Sequence, residues 1–198
     1  QGAWPDLLCV LHWWRQNPRP NLYIREIPVA VHTKFIWEHR TILESLLKEI
    51  LPPAAYHATG NNFHQKFGLR ERPKCVRFRT LDPTLRTTYH LPAEDVQLPQ
   101  AAFAELPITP VRAIIVENEM PYLTLPPLPG TIAIFGQGNM VASLNAPWLE
   151  DTEILYWGDL DIQGFHILSH LRRRYPQAAS MCLDAETLAE YQNFAVTG

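Results

Sequence analysis

Three short apolar runs in the second half of the chain, VRAIIVE (111–117), TIAIFG (131–136) and EILYWGD (153–159), read as strands without a polar face. A strand that is apolar at nearly every position must be covered on both sides, as in a parallel sheet with helices packed on each face. The intervening segments suit such helices. A short Pro-interrupted stretch follows Glu119, a second runs from Asn139 to Leu144, and a longer one lies in QGFHILSHLRRRY, with Pro176 after it. A fourth, short strand is expected within AASMCL (178–183). The pattern predicts an α/β domain over residues 109–198, built on a mostly parallel sheet with helices on both faces.

Open parallel sheets carry their chemistry at the carboxyl ends of the strands. Glu117 ends the first run, Asp159 and Asp161 end the third, and Gly136 and Gly138 follow the second, where a bare backbone leaves room for a ligand. Residues at i and i+2 of a strand project the same way, so Asp159 and Asp161 are expected side by side. Three converging carboxylates without basic partners repel one another, and they either titrate high or bind a divalent cation. An all-oxygen set suits Mg2+ or Mn2+, which complete their shell with water and substrate phosphates. The chemistry implied is metal-assisted phosphoryl transfer or phosphodiester hydrolysis.

Other motifs read more simply. GQGNMV lacks the third glycine of a dinucleotide fingerprint and is expected to be a strand-to-helix turn. His166 and His170 have zinc-like i, i+4 spacing but no HExxH, and are read as core or surface histidines. Arg172 to Arg174 suit the end of a helix dipole. A phosphatase of the haloacid dehalogenase type also uses DxD, but it needs a downstream lysine, and none follows residue 159.

The first half of the chain has a different character. Residues 1–92 hold 13 Lys and Arg against 7 Asp and Glu, whereas residues 93–198 hold 4 against 13. This asymmetry suggests a basic surface for a polyanion beside an acidic one. Residues 1–55 read as helix, strand and helix. Pro5 and the Leu7, Leu8, Leu11, Trp14 spacing give the first helix, NLYIREIPVAV (21–31) the strand, and Thr33 a cap for a second helix that ends at Pro52. Residues 56–108 form a basic connecting region. In CVRFR, Val76 and Phe78 are expected to face inward and Arg77 and Arg79 outward; with Lys66, Arg70, Arg72 and Lys74 they are the candidate DNA-binding residues. A solvated edge strand is the equal alternative. The cysteines Cys9, Cys75 and Cys182 lack zinc spacing and are expected to be buried free thiols. With no apolar run near the ~18 residues of a membrane span and no signal-peptide pattern at its start, the chain is read as cytoplasmic and as part of something longer.

The order IIVENE, IFGQG, YWGDLDIQGF resembles the Toprim fold of type IIA and type VI topoisomerases, primases and related nucleases. The G-D-x-D-x-x-G form is nearest the topoisomerase VI A subunit and its meiotic relatives. YIREIPVAVHTKFIWEHRTILESLL, RFRTLDP and VENEMPYLTLPPLPGTIAIFGQG further resemble the JetD family of bacterial Wadjet systems. The resemblance implies an N-terminal arm and a smaller α+β, winged-helix-like region ahead of a Toprim nuclease domain. It makes Glu117, Asp159 and Asp161 both the catalytic residues and the ligands of Mg2+ or Mn2+, with Glu119 at a helix start or behind the ligands. It implies double-stranded plasmid DNA as substrate and the condensin-like JetABC motor as partner, and leaves homodimerisation open. Direct hydrolysis by water is favoured over a covalent tyrosine intermediate, for which Tyr23, Tyr56 and Tyr89 are candidates by residue type alone. The alternative is a non-catalytic DNA-binding or scaffolding component with a vestigial site.

Overall fold

A computed structural model describes residues 2–32, 34–136, 140–183 and 187. The chain forms two compact units, residues 1–72 and residues 73–198.

The first unit is helical. Helix α1 (Trp4–Gln16) starts with Pro5 in its first turn, where a missing N–H costs nothing, and buries Leu7, Val10, Leu11 and Trp14 along one stripe. Asn17 closes it, its backbone and side-chain N–H groups both donating to the Trp13 carbonyl. The helix expected as continuous after residue 33 is broken at His39 into α2 (Phe35–Glu38) and α3 (Arg40–Ile50). The His39 ring stacks on Phe35, with centroids 4.1 Å apart, and its Nδ1 lies 3.0 Å from the Phe35 carbonyl oxygen. The expected cap, Thr33, lies outside the described residues. Glu44 and Lys48 pair on α3 at 2.7 Å, and Leu43 and Leu47 enter the core. A single 3-10 turn (Pro53–Ala55) leads to α4 (Phe63–Phe67), capped by the Asn62 side chain and ended by Gly68 in the left-handed region.

The strand expected over residues 21–31 does not form; the segment is a series of turns. Its backbone is used elsewhere: Asn21 donates to the Gly68 carbonyl, Leu22 accepts from Arg70, and Arg19 and Asn21 both have φ of 55°. Among the described residues of this unit there is no strand, and so none of the hairpin that a winged helix carries.

The second unit is a six-stranded mixed sheet in the order β2-β1-β4-β3-β5-β6. In chain order it contains β1 (Cys75–Thr80), α5 (Pro83–Thr88), β2 (Asp95–Pro99), α6 (Gln100–Ala104), β3 (Arg112–Val116), α7 (Glu119–Thr124), β4 (Thr131–Phe135), α8 (Met140–Ser143), β5 (Glu153–Trp157), α9 (Ile162–Arg174) and β6 (Ala179–Ser180). β4, β3, β5 and β6 run parallel, as the apolar runs require, while β1 and β2 add an antiparallel edge. The stretch read as a basic connection therefore contributes two strands to the sheet.

Alternation within the apolar strands divides the core. Ala113, Ile115, Ile132, Ile134, Ile154 and Tyr156 face α6, α8 and α9, whereas Ile114, Val116 and Ala133 face Tyr122 and Leu125 on the other side. Each fully buried aliphatic side chain here stabilises the fold by about 1.5–3 kcal/mol. In β1, Val76 and Phe78 are buried and Arg77 and Arg79 are not, as the CVRFR alternation predicts. The thiols are free, but Cys9 and Cys182 are exposed. Cys9 lies off the buried stripe of α1, and Cys182 follows the last strand. No helix among the described residues is long and apolar enough to cross a membrane.

Candidate functional site

The carboxyl ends of β4, β3 and β5 are tied together by backbone hydrogen bonds that continue past the strands. Gly136 N–H donates to the Val116 carbonyl at 2.7 Å, and Glu117 N–H donates to the Trp157 carbonyl at 3.1 Å. Glu117 is thereby fixed directly beside the chain leaving β5. Its Oε2 accepts a long hydrogen bond of 3.3 Å from the Asp159 backbone N–H.

Gly158 makes this approach possible. A β-carbon at that position would lie 2.6 Å from Glu117 Oε2 and would collide with the Tyr156 hydroxyl. Gly164 has the corresponding role in the first turn of α9, where a β-carbon would overlap the Asp159 carbonyl oxygen. The two glycines keep Glu117, the Asp159 backbone and the first turn of α9 in contact.

Asp159 and Asp161 are both exposed, and Glu117 is half-buried. The aspartates are not on the strand as expected. β5 ends at Trp157, and the DxD occupies a tight turn in which Asp161 N–H donates to the Asp159 carbonyl at 2.9 Å. Strand parity therefore does not set their directions. Asp161 is the N-cap of α9, and its Oδ1 accepts from Gly164 N–H at 2.7 Å. Among the described residues, no ion pair involves Glu117, Asp159 or Asp161. Nor do three His, Cys, Asp or Glu side chains there stand close enough together to hold a metal by themselves. Gly138 and Asn139 lie outside the described residues.

Tyr156 is the residue that sequence reasoning missed. It is fully buried, and its hydroxyl has no hydrogen-bond partner. Burial pushes the phenol well above its ordinary range, and the neighbouring carboxylates, Glu117 first, push the same way. The signal was present but ambiguous, because a tyrosine inside an apolar strand reads as core.

The six candidate DNA-binding residues divide between the units. In the first, Lys66 pairs with Glu44 at 2.6 Å, while Arg70 and Arg72 are exposed. In the second, Lys74 is exposed, but Arg77 and Arg79 are committed. Arg77 reaches Asp95 at 2.7 Å and Glu119 at 2.8 Å; Arg79 reaches Glu94 at 2.6 Å and the carbonyls of Tyr122 and Leu123. Glu119, the first residue of α7, is thus an ion-pair partner at a helix start, and Asn118 caps that helix. Lys74, Arg77, Glu119 and Phe135 line a cavity of about 450 Å³. Among the tyrosines, Tyr23 lies under Arg70, Tyr56 packs on Phe67, and Tyr89 shares a hydrogen bond with Thr109.

Two families match the chain. One is described as Wadjet protein JetD, C-terminal, and matches residues 68–197; the other, an N-terminal family of uncharacterized proteins conserved in bacteria, matches residues 1–48. No curated protein matches.

Proposed function

The chain belongs to the Wadjet JetD family and is a component of a Wadjet system, and from that premise we propose that it is the complex's metal-dependent DNA endonuclease subunit. The observation that carries this reading is the direct link between neighbouring parallel strands, Asp159 N–H to Glu117 Oε2 at 3.3 Å, with Asp161 in the next turn. This acidic edge has no cation of its own among the described residues, and its oxygens are open to solvent on the Asp159 and Asp161 side.

The donor set fits Mg2+ or Mn2+ by its chemistry. Such ions are held by one or two carboxylates together with water and substrate phosphate, rather than by a closed protein cage. Glu117 and Asp159 are the proposed main ligands. Asp161 is the third, through the carboxylate that also caps α9. When bound, the ion supplies charge stabilisation at the scissile phosphate and lowers the pKa of the attacking water. The chain's own residues set the geometry: Glu117 and Asp159 would hold the cation that meets the phosphate, and Gly158, with no side chain, lets Glu117 and the Asp159 backbone come together. Hydrolysis by water is proposed, since no hydrogen bond observed among the described residues joins the hydroxyl of Tyr23, Tyr56 or Tyr89 to a carboxylate or a histidine. Arg70, Arg72 and Lys74, exposed in their units, are the foremost candidates to hold the DNA backbone without reading sequence; Lys66, Arg77 and Arg79 are already in ion pairs. Double-stranded plasmid DNA is the proposed substrate and the condensin-like JetABC motor the proposed partner.

One observation favours a second reading, a non-catalytic scaffold: the Asp161 carboxylate has a sufficient structural role as a helix cap. Plasmid cleavage by the full chain with its motor and Mg2+ or Mn2+ separates the two. Glu117→Ala and Asp159→Ala should each lower cleavage by more than the ~10–100-fold typical of groups behind a metal's ligands. Asp161→Asn preserves the cap, so it should fold normally and still lose activity. Undiminished cleavage in all three variants would remove the nuclease reading at this site.

A further inference from the structure

Among the described residues three tyrosines are fully buried in the second unit, and two of them have partners. The Tyr122 hydroxyl donates to Asp95 Oδ1 at 3.0 Å; the Tyr175 hydroxyl accepts from Ala146 N–H at 2.9 Å and donates to its carbonyl at 3.2 Å. Tyr156 has none. Leaving a buried hydroxyl unpaired costs about 1–3 kcal/mol, and phenylalanine in the same place would avoid that loss. A polar atom kept at such a position calls for a partner that arrives in another state.

The candidate partner is adjacent. The space above Gly158 Cα is bounded on one side by the Tyr156 hydroxyl and on the other by Glu117 Oε2, which lies 2.6 Å from where a β-carbon would stand. Both groups are anchored by the backbone. The Tyr156 carbonyl accepts from Met181 N–H at 2.8 Å, and Glu117 N–H is bonded to Trp157, the next residue of β5. Among the described residues the one geometric hydrogen bond to the Glu117 carboxylate is the long one from Asp159 N–H. The side chain is half-buried, and the Tyr156 hydroxyl, which stands beside it across Gly158 Cα, is a donor.

We propose that Tyr156 is the positioning residue for Glu117: its hydroxyl donates to the Glu117 carboxylate when that side chain turns toward a divalent cation, and so selects the binding rotamer. The inference rests on the metal-site reading above. It assigns a role to a residue that touches neither substrate nor cation. Outer groups that orient a ligating carboxylate or imidazole in this way typically contribute 10–100-fold to metal affinity.

The test is Mn2+ binding by the full chain in the presence of a short DNA duplex, followed by electron paramagnetic resonance, together with thermal melts without metal. Tyr156→Phe should melt at the wild-type temperature or above it, because an unpaired buried hydroxyl has been removed, and should bind Mn2+ about 10–100-fold more weakly. A merely structural tyrosine would show the opposite pair of results. In wild type, Mn2+ should also shift the tyrosine Raman bands that report hydrogen bonding, and Tyr156→Phe should abolish that shift. Unchanged Mn2+ affinity in Tyr156→Phe, with binding lost in Glu117→Ala, overturns the role of Tyr156 and leaves the site reading standing. A wild-type chain that binds no Mn2+, or Glu117→Ala binding as wild type, overturns both. A large fall in melting temperature for Tyr156→Phe with no Raman shift in wild type also overturns the proposal.

Discussion

The two ends of the parallel strands treat their carboxylates in opposite ways. At the amino end, Asp82 accepts from Gly130 N–H at 2.7 Å and from both the backbone and the hydroxyl of Thr84, while Arg112 and Glu153 pair across β3 and β5 at 2.8 Å. At the carboxyl end, Glu117 and Asp159 meet through one long backbone bond, Asp161 caps a helix, and none of the three has an ion-pair partner among the described residues. One end is closed on itself; the other keeps unused acceptors. Under the metal-site proposal, those acceptors are the ones a divalent cation would use.

The contrast is broken most severely at Gly164. A β-carbon there would meet the Asp159 backbone oxygen, not the end of a flexible side chain, so either the turn or α9 must move. Gly164→Ala is expected to destabilise the chain by about 1–3 kcal/mol. Because Asp159 moves with the turn, DNA cleavage should fall by about 100-fold, the loss that follows an ångström-scale misplacement. Chemical denaturation and the plasmid assay measure the two effects. A stable, fully active Gly164→Ala chain would show that the position of Asp159 does not matter.

Arg77 sharpens the comparison, because it is a cation near the carboxyl end that is already committed. Its guanidinium spans Asp95 and Glu119, and the Asp95 bonds push it further from deprotonation. Arg77→Ala removes the ion-pair partner of half-buried Asp95, which keeps only its bond from Tyr122, and of exposed Glu119, and should cost about 2 kcal/mol. Lys74→Ala, one residue before the same strand, should stay within about 0.5 kcal/mol of wild type. The order reverses for DNA: Lys74→Ala should reduce the salt-dependence slope of binding by about 1, and Arg77→Ala should leave it unchanged. Titrations of duplex binding against salt, beside melts of both variants, distinguish structural from solvent-facing basic residues.

How far the sequence could be read follows from how local each cause is. The parallel strands were legible because burial on both faces leaves an unbroken apolar run, and the carboxyl-end rule then brought Glu117 toward Asp159 before any coordinates. Residues 21–31 were not legible, because their backbone partners lie near residues 68–70. The membership of β1 and β2 in the sheet was hidden for the same reason: CVRFR shows which residues face inward but not which strand lies beside it. The Asp161 cap is a local signal, since an aspartate before a helical pattern marks a helix start, and the same carboxylate also fits a DxD ligand. Tyr156 was visible only as a core residue, because whether a buried tyrosine finds a partner depends on the turn of a neighbouring strand.

The amino end offers the smallest effect, a change of pH slope. Bonds from Gly130 N–H, first, and from Thr84 hold the Asp82 carboxyl below its ordinary value in the folded chain. A carboxylate with a depressed folded pKa contributes stability that is fully present above its unfolded value and is lost as pH falls through the folded one. Asp82 should therefore support the fold at neutral pH and cease to do so in acid below the ordinary aspartate range. Asp82→Asn keeps a good cap for α5 but does not titrate, so melting temperature should fall less steeply with acid than in wild type. If both chains lose stability along the same curve, Asp82 is not charged in its network.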